Sequence, residues 1–424
     1  MSSVFRNLFT RSPEAKSTAA LKDLQLGCRR LLSGAGAANG TAISGEVIRL
    51  WDALGEASRS AFFDFLATLA PERERVLRAA RAYAEDGSTE QVLELQEAVE
   101  SPRRELLRRL NRTHGAVGAI VAMRRELLRL LPRRPELRAV DADFSHVLAS
   151  WFNPGFLELR RVDWNSPASL LEKIIRHEAV HAIRDWDDLR RRLQGDRRCF
   201  AFFHPQLPGE PLIFVEVALV RAIPRSIAQL IGGAIADDGP LPPRVAAFYS
   251  ISNCETGLKG VSLGNFLIKR VAEELRAEVP SVKRYCTLSP VPGLRKWLAG
   301  AQGAAAAAAL RLRHGSDLER LAAAVREGRL DAQDQSLLAA AAATFLWRHG
   351  ATPLGDPVAR FHLDNGARLE RVNLGADLSD KGLAESLGVM VNYLYDLASV
   401  EANHERFARG EVVCSRQVLS AARG

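Results

Sequence analysis

The hydrophobic period of this chain changes near residue 150, and that change restricts the available folds more than any single motif does. Before it, "GEVIRLWDAL", "SAFFDFLATL", "TEQVLELQEAV" and "AVGAIVAMRRELLRLL" repeat apolar residues at helical spacing between Gly, Ser and Pro breaks. Five to seven helices are therefore expected over residues 17 to about 150. After it, "RCFAFFH", "PLIFVEVALV" and "VAAFYSIS" are short apolar runs bounded by Gly, Pro or Asn, and they read as strands. "WFNPGFLELRRVDWNSP" separates the two regimes. Ser166 and Pro167 then supply the N-cap and first-turn proline of a helix expected from about 167 to 194. A Gly-bearing turn, "NCETGLKGVSLG", opens the amphipathic stretch "NFLIKRVAEELRAEVP". A strand in "VKRYCTLSP", a short helix in "VPGLRKWLAG" and an Ala-rich helical stretch over about 300–350 follow. The segments from "VARFHLDNGARLERVNL" to "GVMVNYLYDL" return to strands, placing His362 in a strand and a turn at Asp364, Asn365 and Gly366. The expected class is multi-domain α and α+β. An all-helical bundle over 1–165 precedes a mixed α/β domain over 166–424 that carries a helical insertion.

Charge and cysteine usage narrow the class of function. A formal charge of +8 favours a polyanionic partner, either nucleic acid or a phosphate-bearing small molecule. The runs "RRELLRRLNR" and "RRELLRLLPRRPELR" interleave Leu with Arg at helical spacing, so they read as amphipathic helices with a solvated Arg face, not as a nucleic-acid patch. No stretch of apolar residues is long enough to span a membrane. The N-terminal "MSSVFRNLFTRSPEAKS" lacks the apolar region of a targeting peptide and reads as a frayed terminus. Cys28, Cys199, Cys254, Cys286 and Cys414 are odd in number and lack C-x-x-C spacing, which points to reduced thiols and a cytoplasmic setting.

One short motif argues for a different chemistry. His177, Glu178 and His181 spell H-E-x-x-H, the helix signature of zinc peptidases. On the expected helix, however, Ile175, Ala179, Ala182, Trp186, Leu189 and Leu193 share one face. The two histidines fall on the opposite side, among Arg184, Asp188 and Arg191. A catalytic zinc helix turns its histidines toward the protein instead, and the extended metzincin form is absent because Asp185 and Asp188 occupy its Gly and third-His positions. No metal ligand is assigned.

The turn "GLKGVSLG" has the sequence of a backbone anion site, a Gly-containing loop running into a helix N-terminus, though a tight turn before a packed helix has the same sequence. The ordered motifs "WFNPGFLELRRVDW", "HEAVHAI", "FYSIS", "GLKGVSLGNFLIKRVAEEL", "LSPVPG", "FHLDNGA" and "NYLYDL" resemble the malonyl-CoA decarboxylase family over roughly residues 20 to 400. The resemblance implies a catalytic domain of the GCN5-related N-acetyltransferase fold, with Lys259, Gly260, Val261, Ser262, Leu263, Gly264 and Asn265 gripping the coenzyme A diphosphate through main-chain amides. Gly257 and Ser262 depart from the acetyltransferase consensus, which wants Gln/Arg and Gly/Ala there, so acetyl transfer is the less supported activity.

The same resemblance implies Ser289 and His362 as the catalytic pair, with Ser250 and Tyr395 as supporting polar positions. Decarboxylation of a malonyl thioester needs a carboxylate held across the carbonyl plane, donors to the growing oxyanion, and an acid for the α-carbon. His362 is the expected general acid, and Ser289 is expected to fix the carboxylate or carbonyl. No cofactor is expected, because the thioester is its own electron sink. The expected partners are a small-molecule acyl-CoA and further copies of this chain, with no nucleic acid and no membrane. Lys269, Arg270, Lys283 and Arg284 are candidates for the coenzyme A 3′-phosphate. The alternatives left open are a GCN5-related acyltransferase, a HEAVH zinc peptidase and a basic binding protein.

Overall fold

The computed structural model describes the chain except residues 1–12, 233–240, 262, 264–266, 316–317, 353–354 and 424. The chain forms two compact units. One comprises Met1–Leu157, His204–Pro208 and Glu255–Leu263; the other comprises Glu158–Phe203, Gly209–Cys254 and Gly264–Gly424.

The first unit is helical, with eight α-helices among the described residues: Pro13–Leu32, Ala35–Asp52, Glu56–Thr68, Arg73–Asp86, Thr89–Val99, Pro102–Leu110, Ala116–Leu130 and Arg138–Trp151. That is one more than the sequence reading allows. Its core is closed by Trp51, whose ring lies 5.5 Å from Phe62 and 5.7 Å from Phe63. Two of the arginines expected on a solvated face lie inside instead. Arg103 Nε donates to Asp143 at 2.8 Å, and Arg124 Nε donates to Asp141 at 2.8 Å. A buried guanidinium persists where a carboxylate and carbonyl oxygens satisfy its donors, and the solvated-face reading omitted those partners.

The second unit is built on one eight-stranded sheet. Its strands are β1 (Glu158–Val162), β2 (Arg197–Phe203), β3 (Pro211–Val220), β4 (Val245–Asn253), β5 (Arg284–Thr287), β6 (Ser289–Pro290), β7 (Arg368–Asn373) and β8 (Met390–Tyr395). They run in the order β1-β2-β3-β4-β5-β8-β6, with β7 also on β8. Only β4 and β5 run parallel, and the helix Leu267–Glu278 lies between them in the chain, as a parallel crossover requires. β3 is buried along nearly its whole length, so its sequence is an apolar run without alternation, broken only by Glu216, which pairs with Arg192 at 2.9 Å.

Two local expectations fail for identifiable reasons. The helix expected over 167–194 stops: Ala168–His177 is helical, Glu178 turns to φ −65°, ψ 108°, and a second helix begins only at Trp186–Arg192. Glu178 Oε1 accepts from Val180 N and His181 N, both at 2.8 Å, giving the backbone an alternative to helical bonding. H-E-x-x-H is therefore not presented on one helical face. His362, expected in a strand, lies in the last turn of the helix Pro357–Asp364. Asp356 caps that helix, its Oδ1 accepting from Val358 N and Ala359 N, with Pro357 at the first helical position.

Asp356 Oδ2 also accepts from Gly293 N at 2.9 Å, tying the start of the His362 helix to the loop after β6. Asp356→Ala removes the acceptor for three amides at a buried position. It is expected to lower the unfolding free energy by roughly 2 kcal/mol, read as a lower urea midpoint at unchanged slope. An unchanged midpoint would contradict the assignment.

Candidate active site

The site forms where two neighbouring strands part. β4 and β5 are in register from Val245/Arg284 to Phe248/Thr287, and a last backbone bond joins Leu288 N to Phe248 O at 2.9 Å. Beyond that point the chain leaves β4 but stays beside β8, to which it is already paired at Tyr285 and Cys286, and Ser289 pairs with Val391. β4 runs on beside β3, with Tyr249 as an extra residue in a bulge, since Glu216 pairs with Ser250 and Val217 with Phe248. The gap is a cavity of about 250 Å³ lined by Ser250, Ile251, Ser289, Val358, Phe361 and His362, among others.

Ser289, His362 and Tyr395 form a hydrogen-bonded chain at the cavity wall. Ser289 Oγ lies 2.9 Å from His362 Nε2, and His362 Nδ1 lies 2.9 Å from Tyr395 Oη. Ser289 also donates to Thr287 Oγ1 at 2.9 Å, and Thr287 Oγ1 accepts from Tyr393 N at 3.2 Å. These bonds are consistent with one proton arrangement: Tyr395 donates to Nδ1, Nε2–H donates to Ser289, and Ser289 donates to Thr287. The His362 ring stacks on Tyr393, with centres 4.7 Å apart and planes 27° apart, which fixes its plane. Burial lowers the His362 pKa to about 3, because the imidazolium loses its water. Burial likewise holds the Tyr395 phenol well above its ordinary value, so it keeps its proton. The imidazole is therefore neutral near pH 7.

Ser250 enters from the opposite wall. Its Oγ donates to Glu178 Oε2 at 2.6 Å, and Ser252 Oγ donates to the same oxygen at 3.3 Å. Glu178 thus serves as a buried anchor beneath the cavity floor, its other oxygen taken by backbone amides. His181 is buried, and loss of water lowers its pKa to about 4. Among the described residues, no group of three or more His, Cys, Asp and Glu is arranged to hold a metal ion.

The structure brings Ser250, Ser289, His362 and Tyr395 together. Lys259, Gly260, Val261 and Leu263 belong to the helical unit, while Ser262, Gly264 and Asn265 lie outside the described residues. Within the helical unit the start of that turn is anchored. Arg124 Nη1 donates to Gly257 O at 2.9 Å, and a Cβ on Gly257 would meet Val121 O at 2.3 Å. The departure from the acetyltransferase consensus at Gly257 therefore has a steric reason. Gly260 has φ +77°, a conformation that suits glycine. Of the four phosphate candidates, Lys269 is bound to Glu401 at 2.9 Å and Arg270 packs over Phe202. Lys283 and Arg284 line a different cavity. The sequence reading missed Thr287, Glu178 as an anchor, and Asp356. Only Asp356 had a signal, an Asp-Pro pair at a helix start.

Comparison with known proteins agrees with this architecture. Residues 155–423 match the family described as malonyl-CoA decarboxylase C-terminal domain, and residues 69–152 match its N-terminal domain. Mitochondrial malonyl-CoA decarboxylase of Anser anser anser is 35% identical over 376 residues, covering 82% of this chain and 74% of that protein. The Mus musculus protein of the same name is 36% identical, covering 75% and 70%. The crystal structure of malonyl-CoA decarboxylase from Rhodopseudomonas palustris superposes with TM-score 0.80 at 43% identity, covering 94% of this chain and 99% of that one. The Agrobacterium vitis structure gives 0.81 at 42%, with the same coverage. With both family domains present in order over most of its length, the chain belongs to the malonyl-CoA decarboxylase family.

Proposed function

We propose that this chain decarboxylates malonyl-CoA to acetyl-CoA and CO2, with Ser289 and His362 at the reacting carbon. The observation that carries the reading is the Ser289–His362–Tyr395 chain opening on a cavity between β4 and β6. The bond to the carboxylate carbon breaks, and its electron pair moves into the α-carbon and thioester carbonyl as CO2 leaves. One proton then joins the α-carbon. The thioester accepts the electrons, so the step calls for no cofactor. Ser289 holds the carboxylate or carbonyl and sets its rotation, and donors around the cavity stabilise the enolate.

Burial of His362 gives that proton a source. A neutral imidazole is a poor acid, but a malonyl carboxylate entering the cavity supplies the negative charge that favours imidazolium. Substrate and proton bind together: the added proton occupies Nδ1, and the proton on Nε2, which faces the cavity, is the one delivered to carbon. Tyr395, bonded at Nδ1, keeps Nε2 aimed at Ser289 and the cavity. Ser250 is a supporting residue, held by Glu178. The diphosphate of coenzyme A is assigned to the turn from Lys259 to Asn265, the helical domain of residues 1–165 to support and self-association, and the protein to the cytoplasm. No helix among the described residues is long and apolar enough to cross a membrane.

Purified protein is expected to form acetyl-CoA from malonyl-CoA in excess EDTA. His362→Ala and Ser289→Ala are each expected to reduce kcat by roughly 10² to 10⁴. A folded wild type without turnover would overturn the reading, and variants as active as wild type would overturn the residue roles. The pH dependence tests the proton source. His362 in the free enzyme is neutral above about 3, and the productive complex holds one more proton, so kcat/KM is expected to fall as pH rises from about 5 to 9. A rise of kcat/KM through about pH 6.5 would show instead that neutral His362 acts as a base.

A further inference from the structure

A second cavity lies on the far side of Tyr395. Its volume is about 360 Å³, and it shares no lining residue with the cavity that holds Ser289 and His362. Four cations reach it: Arg276 from the last turn of the helix Leu267–Glu278, Lys283 from the residue before β5, Arg284 from the start of β5, and Arg368 from the start of β7. One carboxylate, Asp396, shares the lining. Arg368 is already bound to Glu370 at 2.7 Å. Arg276, Lys283 and Arg284 have no carboxylate partner among the described residues. Like charges converging on one concavity repel each other, and an anion relieves that repulsion.

The wall also carries a donor without an acceptor. Tyr285 is 4% exposed, and its hydroxyl has no hydrogen-bond partner among the described residues. Tyr285 sits opposite Tyr395 in the β5–β8 pair, so the two phenols share one face of the sheet. A buried hydroxyl left unsatisfied is costly, and an acceptor bound in the cavity removes the cost. Guanidinium forks match the oxygens of phosphate bidentately, and a phenol adds a directed donor.

We infer that this cavity is an effector site for a phosphate or diphosphate group on a small molecule, distinct from the thioester cavity. Tyr395 gives it a route to the chemistry, because the residue that lines this cavity is hydrogen-bonded at 2.9 Å to His362 Nδ1. The binding half of the inference is independent of the proposed reaction, and the kinetic half rests on it.

The test titrates inorganic pyrophosphate into the full chain by calorimetry, and follows turnover of malonyl-pantetheine, which lacks the nucleotide. Arg276→Gln is expected to weaken pyrophosphate at least ~10-fold, and the fold-preserving Tyr285→Phe at least ~3-fold. Saturating pyrophosphate is expected to change kcat for malonyl-pantetheine in wild type and to leave it unchanged in Arg276→Gln. Absence of binding at millimolar pyrophosphate, or equal affinity in wild type and both variants, would overturn the site. Binding that leaves kcat unchanged would overturn the effector role. A KM raised ~10-fold in Arg276→Gln for malonyl-CoA but not for malonyl-pantetheine, with no binding of free pyrophosphate, would make the phosphate the substrate's own and contradict a separate site.

Discussion

The site depends on keeping one histidine dry. His362 sits in the last turn of a short helix, stacked on Tyr393, bonded to Tyr395 on one nitrogen and to Ser289 on the other. Burial disfavours its charged form, so the resting ring is neutral. Every neighbouring feature serves that placement. Asp356 caps the helix and ties it to the loop after β6, Thr287 accepts the Ser289 hydrogen bond, and the parting of β5 from β4 after Phe248 and Leu288 opens the cavity the ring faces. The reaction consumes one proton per turnover. A dry imidazole that charges only beside a carboxylate would couple that proton to the substrate.

Polar groups under the cavity floor do a second job. Glu178 is fixed by two backbone amides on one oxygen and by Ser250 and Ser252 on the other, so Ser250 keeps its position along a bulged strand. The carboxylate also breaks the helix that would otherwise continue from His177. The same residue that completes a metallopeptidase signature in the sequence thus prevents the helical geometry that signature needs. Arg192 holds the segment from behind, donating to His181 O at 2.8 Å and to Glu216 at 2.9 Å.

Much of this was legible in the sequence because burial writes a period into it. The helical first part, the strands 197–203, 211–220 and 245–253, and the Ala-rich helices followed from apolar spacing and breaker residues. Where a side chain competes with the backbone, the period misleads: residues 178–185 carry a helical pattern but are not helical, because Glu178 takes the amides of Val180 and His181 and Ser252 takes that of Ala179. His362 was assigned to a strand because "VARFHLDNG" is too short to show a period, and only its Asp-Pro start marked a helix. Ser250, Ser289, His362 and Tyr395 were singled out from family motifs, since periodicity says nothing about which distant side chains meet. Thr287 left no trace in the sequence, because its part in the site comes from a hydrogen bond to a residue two positions on.

The most direct test of the account is the ionisation of His362 itself. Nitrogen-15 NMR of histidine-labelled protein, with His362→Gln to assign the signal, reports tautomer and charge in the empty enzyme. It does the same for Ser289→Ala with malonyl-CoA bound. The account predicts a neutral Nε2–H ring in the empty enzyme down to about pH 4 and an imidazolium with malonyl-CoA bound. An empty-enzyme titration near the ordinary histidine value of about 6.5, unmoved by malonyl-CoA, would contradict it.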